Sequence, residues 1–135
     1  AVLEYHGNIL RDRCTVEQVV ADRAEDTRTG LPRCAGCGGL LRPDVVWFGE
    51  AIPRRPMLLA AAAAEDCDVF LSVGTSSLVF PAAGLAETAM AHRAVVIEVN
   101  PGATDLTSRV QFALQGPAGR ILPELCAAIG SRTAR

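Results

Sequence analysis

The chain has 135 residues, enough for one domain with a real core and little beyond it. Half of the residues are hydrophobic, but alanine supplies much of that share and the aromatics are four Phe, one Trp and one Tyr. A net charge of −2 gives no electrostatic basis for binding nucleic acid or an anionic membrane. Alanine-rich cores pack helices closely on sheets, as α/β proteins do. The longest apolar run, 57–64, is far short of the ~20 residues of a membrane span. No basic-then-apolar leader pattern opens the chain, so export is not expected. The five cysteines are odd in number and unevenly spread, which argues against a disulfide framework and for a reducing, cytoplasmic setting. Cys67 and Cys126 sit among apolar neighbours and read as small buried residues.

In chain order, Ala1 to Tyr5 (AVLEY) reads as a strand that ends at His6-Gly7 in a glycine turn. Asn8 to Arg33 is polar with weak apolar pairing, and Thr27 to Pro32 (TRTGLP) reads as a loop; such a stretch needs a staple to be ordered. Cys34 to Glu50 (CAGCGGLLRPDVVWFGE) combines a two-cysteine knuckle with an apolar, aromatic strand that ends in Gly49-Glu50. Pro53 to Pro56 reads as a break, and Met57 to Glu65 as an alanine-rich helix. Asp68 to Val73 is a continuous apolar run of strand length, ended by Gly74-Thr75-Ser76-Ser77. A helix from about Pro81 to Ala91 and a strand from Ala94 to Val99 follow, closed by Asn100-Pro101-Gly102. Thr104 to Leu114 reads as a short helix and then a short strand at Val110 to Ala113. A last helix spans about Gly119 to Ile129, with a frayed tail from Gly130. The alternation predicts an α/β fold with parallel strands joined by right-handed helical crossovers.

Ligands of open parallel sheets bind beyond the carboxyl ends of the strands. Gly74, Thr75 and Ser76 combine a glycine with small hydroxyls and backbone N–H groups that suit a phosphate, and the Asn100 amide suits a ribose hydroxyl pair. The same residues also suit a plain strand-to-helix turn, and no GxGxxG fingerprint is present. His6 fits a general base or a structural histidine at a strand end, whereas His92 reads as a surface residue at a helix C-terminus. Cys34-x-x-Cys37 lies between loops and glycines, which suits a zinc knuckle better than a redox pair. Cys14 falls where a first ligand belongs, but Glu17 stands three residues on where a cysteine would complete the site. A carboxylate could close it; the alternatives are another group, or a site that binds no metal.

Together these segments resemble the sirtuins, NAD-dependent protein lysine deacylases. His6-Gly7 matches the family's catalytic histidine motif, and Cys14, Cys34 and Cys37 match its zinc module apart from Glu17. GGLLRPDVVWFGE resembles the segment leading from that module into the acyl-lysine channel, in its bacterial form. Gly74-Thr75-Ser76, Asn100 and Gly116-Pro117-Ala118 resemble the family's NAD-contacting turns. The resemblance implies a partial Rossmann-like parallel sheet with helices on both faces, over 1–7 and 43–130, plus a small zinc-ribbon-like module over 8–42. It implies NAD as co-substrate, a structural zinc, and acyl-lysine proteins or peptides as partners. It implies attack of the acyl-lysine carbonyl oxygen on the nicotinamide ribose with release of nicotinamide. His6 would then act as general base on a ribose hydroxyl, leading to free lysine and O-acyl-ADP-ribose. Val46, Phe48, Gly49 and Glu50 would line the acyl-lysine tunnel and pair with the peptide as an added strand, faced by Leu78-Val79-Phe80. Ala118 would contact NAD. The family's glycine-rich GAG-type loop, its following arginine and its QNxD motif are absent, so a C-terminal portion of a sirtuin is expected. A non-catalytic, zinc-stapled peptide-binding module is the other reading.

Overall fold

In a computed structural model, residues 1–23 and 30–133 are described. By backbone contacts the chain divides into two compact units, Ala1–Met57 and Leu58–Arg135. This cut differs from a division at residues 8–42 because one antiparallel sheet ties the His6-Gly7 corner to Asp44 and Val45.

That sheet has the order β2-β1-β3, from β1 (Gly7–Cys14), β2 (Val20–Asp22) and β3 (Leu41–Val45). β1 pairs with β2 from Arg11↔Asp22 to Arg13↔Val20, and with β3 from Gly7↔Val45 to Cys14↔Leu41, with a register shift between Asn8 and Asp12. Among the described residues of this unit the buried ones are Cys14, Cys34, Asp12 and Asp44, so thiols and carboxylates occupy the place of an apolar core there. The buried carboxylates are paired, as burial of a charge requires. Asp44 accepts from Arg13 at 2.6 and 2.8 Å and from Arg11 at 3.2 Å, while Asp12 accepts from Arg23 at 2.8 and 3.0 Å.

Two expectations for this unit need correction. Ala1 to Glu4 is not a strand; the strand begins at Gly7, inside the stretch read as weakly patterned, because its pairing comes from β3 some thirty residues away. The aromatic strand stops at Val45, and Phe48 and Gly49 form a turn that leaves the Phe48 side chain 96% exposed. The loop expected at Thr27 to Pro32 lies outside the described residues for positions 27–29.

The second unit carries a parallel sheet of β4 (Val69–Val73), β5 (Val95–Asn100) and β6 (Phe112–Gln115), in that order. Its helices are α1 (Arg54–Asp66, whose first residues precede the unit), α2 (Gly84–Ala91) and α3 (Ala118–Thr133). The fold is α/β with a parallel sheet and three helices, as the alternation predicted. Val96 of β5 is fully buried in a cluster with Ala64 of α1, Ala89 of α2 and Ala94, flanked by Phe70, Leu85 and Val110.

Here too the ends moved. α1 begins at Arg54 and takes Pro56 into its first turn, where a missing N–H costs no intrahelical bond. α2 begins at Gly84, three residues after Pro81. Residues 105–109 form turns and not a helix, and the short strand sits at Phe112–Gln115. α3 continues to Thr133 through the expected fray point at Gly130 and contains Pro123; residues 134–135 lie outside the described set. Cys126, expected to be buried, is exposed on α3.

Candidate functional site

Cys14 ends β1, Glu17 lies in the turn after it, and Cys34 and Cys37 flank the turn before β3. Pairing of Cys14 with Leu41 brings the two turns together. One donor atom from each of the four residues lies within 4.8 Å of all the others. Cys14 Sγ is 3.5 Å from Cys37 Sγ, and Cys34 Sγ is 3.5 Å from Glu17 Oε2. A tetrahedron of thiolates around zinc, with bonds of ~2.3 Å, has edges of about 3.8 Å. The separations therefore suit four ligands on one cation.

The backbone is arranged around the sulfurs. The N–H groups of Glu17 and Val16 point at Cys14 Sγ at 3.3 and 3.4 Å, and that of Gly39 points at Cys37 Sγ at 3.4 Å. The Glu17 N–H above all, with that of Val16, draws the Cys14 thiol below its ordinary pKa. The Gly39 N–H draws Cys37 down as well, but hydrogen bonding to Cys14, burial and the neighbouring sulfurs together push it up to about 11. A Cβ at Gly36 would lie 3.1 Å from Glu17 Oε2, and one at Gly39 would lie 2.8 Å from Val16 and 3.2 Å from Cys37 Sγ. Glycines thus let the knuckle close on its donors. Cys14, Cys34, Cys37 and Glu17 fit a zinc site with one carboxylate in place of a cysteine.

The His6 carbonyl accepts the Val46 N–H at 2.9 Å, which ties the exposed histidine to the first residue beyond β3. The His6 ring meets Tyr5 edge-on, with centroids 5.2 Å apart. The Val46 to Glu50 segment is held by Arg42. Its guanidinium lies 4.6 Å from the Trp47 ring centroid, donates to the Val45 carbonyl at 3.1 Å and pairs with Glu50 at 3.0 Å. Glu50 also accepts the Trp47 N–H at 3.0 Å. That N–H first, and then Arg42, holds the Glu50 carboxyl below its ordinary pKa. A pocket of about 320 Å³ lies on this unit, lined by Gly7, Arg13, Arg42, Val46 and Glu50 among others.

The second unit gathers the other candidates at one edge. Val73 pairs with Val99, and Asn100 with Gln115, so Gly74-Thr75-Ser76, Asn100 and Gly116-Pro117-Ala118 leave neighbouring parallel strands at their carboxyl ends. The Gly74 N–H donates to the Val99 carbonyl at 2.9 Å and so is not available to a phosphate, and the Ser77 N–H donates to Thr75 Oγ1 at 3.2 Å. Gly74 turns with φ +62, a conformation glycine takes without strain. The Gly116 N–H donates to the Asn100 carbonyl at 3.0 Å, and Ala118 is the first residue of α3. A pocket of about 100 Å³ opens at this edge beside Asn100 and Gly102. It is small beside the ~300–1,000 Å³ of a site that encloses a drug-sized ligand. His92 Nδ1 donates to the Thr88 carbonyl at 2.9 Å at the end of α2, as a surface capping residue does.

Sequence reasoning missed Arg42, whose partners at Trp47 and Glu50 become visible only once the turn is drawn. It also passed over Glu98, the single charge in the apolar strand β5, and its partners Thr104 and Thr107. A carboxylate inside such a run was the available signal.

The Sir2 family pattern matches residues 1–81. An NAD-dependent protein deacylase of Pyrococcus furiosus is 43% identical over 130 residues, covering 92% of this chain and 52% of that protein. NAD-dependent protein deacylase 1 of Pseudomonas aeruginosa is 44% identical over 132 residues, with 92% and 53% covered. A solved Sir2 homologue–NAD complex superimposes with a TM-score of 0.93 at 36% identity over 97% of this chain and 52% of its own. A Sir2 homologue mutant bound to ADP-ribose gives a TM-score of 0.95 at 35% identity, with 98% and 54% covered. The chain belongs to the Sir2 family. It spans about half the length of the curated relatives it matches.

Proposed function

We propose that the chain is part of an NAD-dependent protein lysine deacylase that yields nicotinamide, deacylated lysine and O-acyl-ADP-ribose. The observation that carries this reading is the bond from the Val46 N–H to the His6 carbonyl, which joins the candidate base to the candidate peptide wall. In this reading the acyl-lysine carbonyl oxygen attacks the nicotinamide ribose and nicotinamide leaves. The His6 imidazole then takes a proton from a ribose hydroxyl. Val46, Phe48, Gly49 and Glu50 receive the acyl-lysine peptide. Because His6 occupies the Val46 N–H, peptide pairing draws on the remaining backbone groups of that segment.

Gly74, Thr75, Ser76, Asn100 and Ala118 contact NAD at the carboxyl edge of the parallel sheet. The gathering of their turns on three neighbouring strands supports this assignment. Functionally, residues 1–7 and 43–130 belong to the NAD-binding part and 8–42 to the zinc module. Zinc supplies cross-linking and no chemistry: Cys14, Cys34 and Cys37 with Glu17 would hold it and fix the turns around β1. A reducing, cytoplasmic location keeps those thiols available. Among the described residues, no helix is long and apolar enough to cross a membrane.

Release of nicotinamide from NAD, dependent on an acetylated or succinylated lysine peptide, tests the reading in the full-length protein. It should be lost in His6→Ala. Peptide binding without nicotinamide release would instead identify a zinc-stapled binding module, and the span of about half the relatives' length is what keeps that reading in play.

A further inference from the structure

Glu98 is 3% exposed in the middle of β5, where every other residue from Val95 to Val99 is apolar. A carboxylate there costs free energy unless both oxygens are satisfied. Oε1 accepts the hydroxyl of Thr104, and Oε2 accepts that of Thr107 at 2.5 Å. Each hydroxyl oxygen also accepts a backbone N–H, Thr104 from Leu106 at 3.1 Å and Thr107 from Thr104 at 2.8 Å. A threonine has one hydroxyl hydrogen. With their oxygens engaged by N–H donors, both hydroxyls send that hydrogen to Glu98, and only a group that accepts at both ends completes the ring.

The ring has a location that bears on binding. Side chains two apart on a strand share a face, so Glu98 lies directly behind Asn100, and Glu98, Thr107, Asn100 and Gly102 line the same pocket at the sheet's carboxyl edge. The Asn100 amide donates to the Gly102 carbonyl at 3.2 Å, so the turn that Glu98 braces through two threonines continues directly from the candidate ribose ligand. We propose that Glu98 is a positioning residue: through Thr104 and Thr107 it fixes the wall of the Asn100 pocket and thereby sets affinity for the ADP-ribose portion of the nucleotide, not the rate of the chemical steps. The inference rests on the NAD-dependent reading above.

The test uses the full-length protein, with calorimetric titration of ADP-ribose and steady-state nicotinamide release from an acetylated peptide. Glu98→Gln keeps the shape but turns an amide N–H₂ toward a hydroxyl hydrogen; Thr107→Val removes one donor and carries the test if Glu98→Gln does not fold. Both should raise the ADP-ribose Kd and the KM for NAD about tenfold, as expected for loss of a hydrogen bond to a charged group. The kcat at saturating NAD and the peptide KM should stay within about twofold of the unaltered protein. Thr107→Ser, which keeps the hydroxyl, should restore affinity. Unchanged ADP-ribose affinity in Glu98→Gln and Thr107→Val overturns the inference, as does a joint fall in kcat, both affinities and melting temperature, which marks a purely structural brace. If the unaltered protein binds neither NAD nor ADP-ribose, the NAD-dependent reading itself fails and the inference goes with it.

Discussion

Gly7 and the main-chain oxygen of Asp44 approach so closely that a Cβ on Gly7 would sit 2.1 Å from that oxygen. Gly7 also turns with φ +80, in the left-handed region. The glycine after His6 is therefore required twice over, by backbone conformation and by contact with β3. Gly49 shares the positive φ, at +87, but a Cβ there meets nothing within 4 Å. Gly49→Ala should cost about 1–2 kcal/mol, the strain of a left-handed L-residue. Gly7→Ala should cost more, on the order of 3 kcal/mol or greater, because overlap with backbone adds to the strain. Urea unfolding of the two variants measures the difference, and equal midpoints would show that β3 moves aside freely.

Glu17 is the ligand that sets this zinc site apart. Elemental analysis should find one zinc per chain, and Glu17→Ala should weaken binding by at least ~10–100-fold, the range seen even for groups one shell further out. Glu17→Cys should tighten it. Zinc content and affinity unaltered in Glu17→Ala would make the carboxylate a bystander.

Acidity adds a separate prediction for the same donors. Without a cation Cys37 holds its proton to about pH 11, so zinc must displace that proton to bind. The apparent zinc affinity should rise steadily with pH through the neutral range, with proton release on binding seen as a buffer-dependent heat. A pH-independent affinity would contradict the arrangement of sulfurs around Cys14.

The Glu50 carboxyl lies below its ordinary value of 4.5 because the Trp47 N–H and then Arg42 favour its charged form. A depressed acid contributes its stabilisation above the unfolded pKa and loses it as pH falls through the lower, folded value. The 46–50 segment should thus be intact at neutral pH and loosen below about pH 4.5. Trp47 is the only tryptophan, so its fluorescence reports on this segment alone. The acid transition should precede loss of far-UV circular dichroism and should vanish in Glu50→Gln. An identical profile in that variant would assign the transition to other groups.

The parallel half of the fold could be read from sequence because its signals are local. β4 and β5 are apolar runs of strand length bounded by Gly74 and by Pro101-Gly102, and only their ends shifted by a residue. β1 carries no such signal: Asp12 is buried through Arg23, and Arg11 and Arg13 find Asp44 across more than thirty residues. No periodicity encodes that pairing. The three cysteines were legible from spacing, and their convergence with Glu17 follows from the pairing of β1 with β3. The ring around Glu98 was not, because it depends on where two threonine hydroxyls point after the chain has turned.

The core beneath the carboxyl edge of the parallel sheet is built largely from alanine: Ala64, Ala89 and Ala94 are buried around Val96. Alanine has no rotamers to freeze, so ordering these side chains loses almost no conformational freedom. For the same reason they have no rotamers with which to adapt. A bulkier residue at Ala89 gets no relief from Ala64 or Ala94, only from partly buried neighbours such as Phe70, Leu85 and Met90 at the cluster's edge, and the remaining strain passes to the backbone of β5. That strand ends at Asn100, so enlargement of a methyl group deep in the core would be felt as displacement at the pocket's mouth.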